Sequence, residues 1–184
     1  MISSRPVPVL VTTLAFVGLI ALGARVDVAV PGSPVPQSLQ TLAVLAAGLA
    51  LGPRWGLAAG LLYLAAGALG LPVFAGGASG LPVLSGPTAG YLVAFPLAAL
   101  LVGAGSRTLS PGPVWRTMLL AFALGLAGHL SILVLGWAGL VLRIGAAEAL
   151  AAGVAPFLWG MVVKSAALAL LAPLLTGLRD RLNI

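Results

Sequence analysis

Lys164 is the residue of this sequence whose chemistry most needs an explanation. It lies in the apolar run 156–178, about 12 Å from the start of that run if the run is helical. An unpaired lysine inside a bilayer costs about 2.5–3.5 kcal/mol, so its ammonium needs a counter-charge. The acidic residues are Asp27, Glu148 and Asp180, and none of them lies in an apolar run. Three explanations stay open: Glu148 or Asp27 folds inward, an anionic ligand such as a carboxylate binds, or the long stem carries the ammonium to the interface.

The residue sets that catalysis and metal binding require are missing. The chain has 1 His, 0 Cys and 3 Asp and Glu, and it holds neither a His-Glu-x-x-His motif nor a phosphate-binding loop. These absences predict a protein that is not an enzyme, with no catalytic residue, metal or cofactor. Because no apolar run carries a carboxylate, a proton or sodium site is disfavoured. Any uphill transport would then draw its energy from another subunit or from an ion gradient.

A few polar and aromatic side chains are placed where they could line a ligand site. His129 lies within an apolar run with no acid nearby in the sequence, which favours a hydrogen-bonded packing residue over a proton relay. Gln37 and Gln40 lie at the entry to the second run, where they either contact a polar ligand or anchor the loop. Three aromatic residues fit either an interfacial belt or the wall of a cavity: Phe74, Tyr91 and Trp159.

The composition indicates the class of protein that must position these side chains. The 184 residues are 61% hydrophobic and 7% charged, whereas soluble domains are about 45–50% apolar and about 25% charged. The 9 Lys and Arg are scattered along the chain, so they form no basic patch for nucleic acid. The long apolar runs lack the alternation of a membrane barrel. The sequence therefore predicts an all-α integral membrane protein in contact with the lipid bilayer.

The apolar runs predict a six-transmembrane-helix bundle in a single polytopic membrane domain, residues 1–184. Gly52-Pro53-Arg54 predicts a tight helical hairpin, and small residues four apart along several runs predict close helix packing. The loops 26–38 and 72–87 are rich in proline and glycine and almost uncharged. We expect them to fold over a cavity as lids, although short re-entrant connectors are the alternative. The predicted helices are 8–24, 39–52, 55–71, 88–105, 114–136 and 156–178, with an extension of the fifth helix to Leu142 as an alternative.

The distribution of cations predicts the orientation. With an even number of helices, both termini lie on one side of the membrane together with most of the cations, namely Arg5, Arg54, Arg107, Arg116, Arg179 and Arg181. Arg25 and Arg143 fall on the other side, each with an acid nearby in the sequence. Cations are enriched in cytoplasmic loops. This bias predicts cytoplasmic termini in the plasma membrane, with both lid loops outside the cell.

Three blocks of the sequence resemble one known family. Residues 35–45 (VPQSLQTLAVL) precede Gly52-Pro53-Arg54-Trp55-Gly56; residues 67–77 (GALGLPVFAGG) precede 86–92 (GPTAGYL); and 156–164 read PFLWGMVVK. These blocks resemble the BioY family, the biotin-binding S components of energy-coupling factor (ECF) transporters. The resemblance covers nearly the whole chain.

The resemblance implies a function, partners and a set of site residues. It implies a membrane subunit that captures biotin outside the cell and delivers it inward, together with a transmembrane coupling subunit and two ATPase subunits. Met161 stands where the family's Pro-Gly-Asp-x-x-Lys motif has its acid, and small residues on the first helix imply a weakly marked docking surface: Ala15, Gly18 and Ala21. The implied biotin-binding residues are Lys164, Gln40, Phe74, Gly76, Gly77, Tyr91, Trp159 and Met161.

Two other functions remain as alternatives. One is an S component for a different vitamin, such as thiamine or a flavin, although a cationic ligand would sit badly beside Lys164. The other is a structural or channel-forming membrane protein that has no small-molecule site.

Overall fold

Helices dominate the computed structural model, which describes residues 6–109 and 112–184. Two strands of two residues each, β1 (Asp27–Val28) and β2 (Gln37–Ser38), pair antiparallel in the first lid loop. Short 3-10 turns occupy Ala75–Gly77, Ser106–Thr108 and Ala155–Phe157. The α-helices are α1 (Pro6–Gly23), α2 (Gln40–Ala68), α3 (Leu81–Leu84), α4 (Ala89–Gly105), α5 (Val114–Ile144), α6 (Ala146–Gly153) and α7 (Leu158–Leu182).

The helix α2 consists of two antiparallel arms, residues 40–51 and 53–68. Gly52 interrupts it with φ 72° and ψ −176°, a conformation that glycine adopts readily, and Pro53 begins the second arm. The arms pack so closely that a Cβ added to Gly56 would lie 2.8 Å from the Cα of Gly48. With the two arms counted separately, the described residues form six long helices, so the predicted all-α six-helix bundle is confirmed.

Several helix ends differ from the predicted ones. The fifth helix continues to Ile144, beyond 136 and close to the alternative end at 142, and its Gly136 and Gly139 lie against α4 in close packing. Gly145, with φ 83°, then ends it. The segment that follows forms the short helix α6, and the last long helix begins at Leu158, after a 3-10 turn, instead of at 156. Arg5, which contributes to the predicted orientation, lies outside the described residues.

The centre of the bundle is the contact of α2 with α4. A Cβ added to Gly60 would lie 2.7 Å from the Cα of Pro96, and one added to Gly48 would overlap the backbone of Ala99. Such close approach of small residues drives helix association in lipid, where hydrophobicity cannot. On the outer faces, large apolar side chains such as Leu10 and Leu62 are exposed. By length and apolar composition alone, the described residues contain four candidate membrane spans: Ala89–Thr108, Val114–Ile144, the folded hairpin Gln40–Ala68, and Ala146–Leu182, which joins α6 to α7.

Two arginines attach the second lid loop to the bundle. Arg25, just after α1, donates from Nη2 to the carbonyl oxygen of Pro72 at 2.6 Å. Arg143, near the end of α5, donates to the carbonyl oxygen of Ser85. Each arginine holds one end of the loop, so this loop is fastened at both ends over the bundle.

Candidate functional site

A cavity of about 240 Å³ lies under the two lid loops. It opens among the first turns of α2, α4 and α7 and the middle of α5, so residues from four helices and both loops meet there. Its polar lining consists of Ser38, Gln40, Thr41, Thr88, Tyr91, His129 and Lys164. Its apolar lining consists of Val35, Pro36, Phe74, Ala75, Ala78, Val83, Leu92, Phe95, Ile132, Leu133, Phe157 and Met161.

Lys164 places an ammonium in the wall of this cavity. The residue is only 9% exposed, so the ammonium does not reach the interface. Its Nζ donates to the backbone carbonyl oxygen of Ser38 at 3.1 Å, which leaves further donor capacity. Neither Glu148 nor Asp27 pairs with it: in the described part of the chain the one ion pair is Arg179–Asp180, at 3.8 Å. Inward folding of an acid, one of the three explanations left open by the sequence, is therefore not observed.

His129 joins three helices beside the lysine. Its Nδ1 lies 2.9 Å from the carbonyl oxygen of Gly125 and 3.1 Å from Oγ of Ser165, and its Nε2 lies 3.2 Å from Oγ1 of Thr41. A carbonyl oxygen can only accept, so the proton of the neutral ring is on Nδ1. Nε2 then accepts from the hydroxyl of Thr41. The contacts agree with a hydrogen-bonded packing residue, yet the ring also faces the cavity.

Gln40 connects the cavity to both lid loops. Its Oε1 accepts from Oγ of Ser38 at 3.0 Å, and its Nε2 donates to the hydroxyl of Tyr63. The Tyr63 hydroxyl in turn donates to the carbonyl oxygen of Val73 at 3.0 Å. Gln40 therefore anchors the loops and lines the cavity at once, so both interpretations of this residue fit the geometry.

Aromatic rings close the cavity on two sides. Phe74 is 1% exposed and packs edge-on against Tyr63 with the ring centres 5.6 Å apart. The hydroxyl of Tyr91 donates to the carbonyl oxygen of Gly153 at 2.7 Å. Its ring packs against that of Phe157, with the ring centres 6.4 Å apart. The sequence reasoning missed Phe157. The spacing of positions 157, 161 and 164 could have indicated it, because residues three and four apart fall on one helix face.

Three of the expected site residues lie away from the cavity. Trp159 is 76% exposed and points out of the bundle. Gly76 and Gly77 are not among the lining residues. They turn the loop with φ 65° and 76°, and this turn directs the neighbouring Ala75 and Ala78 into the cavity instead. Gly77 lies beside the guanidinium of Arg25.

The comparisons with known proteins agree on one family. The BioY family profile matches residues 2–181. A probable biotin transporter BioY of Pyrococcus horikoshii is 38% identical over 162 residues, covering 88% of this chain and 92% of that protein. A biotin transporter BioY2 of Lactococcus lactis is 37% identical, covering 84% and 86%, and a biotin transporter BioY of Thermotoga maritima is 34% identical, covering 85% and 89%.

A solved structure shares the fold. A crystal structure of the S component for biotin from an ECF-type ABC transporter superposes with a TM-score of 0.84 and 22% identity. The match covers 96% of this chain and 95% of that one. Together with the profile match along nearly the whole sequence, these likenesses place the protein among multi-pass membrane transporters, and the chain belongs to the BioY family.

Proposed function

We propose that this protein is the biotin-binding S component of an ECF transporter. It captures biotin in the cavity under the lid loops and delivers it across the membrane. The single observation that carries this proposal is the buried ammonium of Lys164, which lines an otherwise largely apolar cavity and meets no carboxylate in residues 6–109 and 112–184. The names of the relatives support biotin as the ligand.

The chemistry of biotin suits this lining. Its valerate tail ends in a carboxylate, its ureido ring offers two N–H donors and one carbonyl acceptor, and the rest is apolar. Phe74, Tyr91 and Met161 enclose the apolar atoms. Lys164 pairs with the carboxylate or donates to the ureido oxygen, and Gln40 supplies further polar contacts. An ionic hydrogen bond in a site that excludes water is among the stronger polar interactions.

Binding of biotin by the purified protein in detergent tests this function. Lys164→Ala should weaken binding by about 2–5 kcal/mol, because it removes a desolvated charged partner. The matched control is Arg116→Ala, which removes an exposed cation away from the cavity. Equal affinities of the wild type and Lys164→Ala would contradict the role of the lysine, and absence of biotin binding by the wild type would contradict the function itself.

Biotin methyl ester identifies the end of the ligand that Lys164 contacts. If the lysine pairs with the carboxylate, the wild type discriminates strongly against the ester and Lys164→Ala loses that discrimination. If it donates to the ureido oxygen, the ester and biotin lose affinity equally in the variant. The same assay with thiamine and riboflavin separates biotin from other vitamins, and a structural or channel protein would bind none of them.

The proposal includes the partners and the orientation. Membership of the BioY family supports a transmembrane coupling subunit and two ATPase subunits as partners, and this sequence itself holds no phosphate-binding loop for ATP. Ala15 and Gly18 are exposed on α1, and Ala21 is half-buried. They leave a small-residue surface where a partner helix can approach. In this orientation the termini are cytoplasmic and the lid loops face outward.

A further inference from the structure

A second hollow lies at the end of the bundle opposite the cavity. This cleft has a volume of about 610 Å³ and opens between the turn at residues 52–54, the turn that follows α4, and the end of α7. The cavity is lined by the first turns of α2 and α7, whereas the cleft is lined by residues 51–55, 106–107, 179–180 and 183–184. The two hollows are therefore separate, and the proposed transport function does not use the cleft.

Three arginines from three separate segments converge on the cleft. Arg179 is fixed in place, because its Nη1 donates to the carbonyl oxygen of Ser106 at 2.7 Å and to Oγ of Ser106 at 3.0 Å. Arg54 and Arg107 are exposed. Within the described part of the chain, neither of them makes a side-chain hydrogen bond or an ion pair. The cleft thus holds one oriented guanidinium and two with their donors available.

The charge of the cleft selects an anion. Asp180 is the single acidic side chain of its lining, and it lies 3.8 Å from Arg179, so the lining side chains carry a net positive charge. The planar fork of a guanidinium matches two oxygens of a phosphate. Convergent arginines of this kind are therefore suited to a phosphate group.

The position of the cleft identifies the source of that phosphate. The cleft lies where apolar helices end, and the half-buried Trp55 beside it is a residue type enriched at the membrane interface. Its lining places the half-buried ring of Trp55 among the arginines, so it offers an aromatic surface that a bare phosphate ion would leave unused. Basic pockets between transmembrane helices bind anionic headgroups. We propose that this cleft binds the headgroup of an anionic phospholipid.

Titration of the detergent-solubilised full chain with short-chain phosphatidylglycerol tests the site by calorimetry. Phosphatidylcholine of the same chain length and glycerol phosphate are the comparison probes. Arg54→Gln/Arg107→Gln should weaken phosphatidylglycerol binding about thirtyfold. The control Arg116→Gln/Arg181→Gln removes the same charge through exposed residues outside the cleft and should bind like the wild type. The affinity of Arg54→Lys/Arg107→Lys for phosphatidylglycerol should lie between those of the wild type and the glutamine variant, because lysine keeps the charge but lacks the bidentate guanidinium. Thermal unfolding of each variant verifies that it is folded.

Each other outcome overturns the assignment. If Arg54→Gln/Arg107→Gln and Arg116→Gln/Arg181→Gln lose the same affinity for phosphatidylglycerol, the lipid responds to diffuse surface charge and not to the cleft. If phosphatidylcholine binds as tightly as phosphatidylglycerol, the site does not recognise the net negative charge of the headgroup. Glycerol phosphate binding as tightly as phosphatidylglycerol would identify a soluble phosphate compound as the ligand. If the wild type binds no lipid and Arg54→Gln/Arg107→Gln fails to assemble with a purified coupling module, the cleft is a protein interface.

Discussion

At the level of single side chains, the cavity depends on charges and hydrogen bonds that have few partners. Lys164 shares its ammonium with one backbone carbonyl, that of Ser38, and His129 uses both ring nitrogens to join α2, α5 and α7. Removing such a group leaves its partners buried without a replacement, which is costly in a site that excludes water. The polar floor of the cavity is therefore both a binding surface and a structural joint.

The contribution of the His129 hydrogen bonds to stability can be measured. His129→Leu removes the contacts to Thr41 and Ser165 and should lower the free energy of unfolding by about 0.5–2 kcal/mol, the range for hydrogen bonds between membrane helices. The measurement is reversible unfolding in mixed micelles. Ser131→Ala serves as the control, because it removes a hydrogen bond within α5 only, to the carbonyl oxygen of Gly128. Equal stabilities of the two variants would contradict the joint between helices.

The sequence predicted some of these side chains and missed others for physical reasons. Lys164 could be predicted because a lone cation in an apolar run requires an explanation. Its acceptor at Ser38 could not, because every residue carries the same backbone carbonyl. Trp159 was misplaced because it precedes Lys164 by five positions, which is about 140° around a helix, so the two side chains leave α7 on different faces.

At the level of helices, the contact of α2 with α4 depends on the absence of side chains. Gly60→Ala should destabilise the protein by about 1–3 kcal/mol, because its new Cβ would lie 2.7 Å from the Cα of Pro96 and backbone atoms must shift. Gly18→Ala is the matched control, since a Cβ there meets nothing within 4 Å, and it should be neutral or slightly stabilising. Thermal unfolding in detergent compares them; similar losses in both would contradict the packing explanation.

The lid loop offers a kinetic prediction. Arg25→Gln removes the hydrogen bond from the guanidinium to the carbonyl oxygen of Pro72. A hydrogen bond of this kind contributes about 1 kcal/mol, so biotin should dissociate about fivefold faster from the loosened loop. Stopped-flow release of fluorescent biotin measures this rate. Arg116→Gln, a cation far from the loop, should leave it unchanged, and an unchanged rate in Arg25→Gln would show that the contact does not hold the lid.

Helix ends were harder to predict than helix existence. The turn at Gly52 and Pro53 was readable, because proline and glycine together break a helix. The end of α5 was open between 136 and 142, because Gly136 and Gly139 look like breakers in the sequence, whereas the structure uses them as close-packing positions against Tyr91 and Gly90 and continues the helix to Ile144. Whether a glycine breaks a helix or packs it depends on the neighbouring helix, which local sequence does not specify.

At the level of the whole molecule, the cations are divided between the two ends of the bundle. Arg54, Arg107 and Arg179 line the cleft, while Arg25 and Arg143 hold the lid loop at the other end. The cluster at the cleft end favours a cytoplasmic location for that end. Among the cations on which the predicted orientation rests, Arg25, Arg143 and Arg179 also hold a loop or a helix end in place.

Labelling of introduced cysteines tests this orientation. The sequence has 0 Cys, so Ala147→Cys on α6 and Thr108→Cys at the cleft end each give one reactive thiol at an exposed position. A membrane-impermeant maleimide should label Ala147→Cys on intact cells and Thr108→Cys only after permeabilisation. The reverse pattern would place the lid loops inside the cell and contradict capture of biotin from outside.

The short first arm of α2 has a consequence for permeation. Thr41 lines the cavity and Leu51 lines the cleft, and the helix between them rises only about 15 Å, half of the roughly 30 Å hydrocarbon thickness. Along this arm the cavity and the cleft are therefore separated by about half of a bilayer's depth. A solute that passed from the cavity to the cleft along this arm would cross about 15 Å of packed helix, which is half the depth that a transmembrane helix spans.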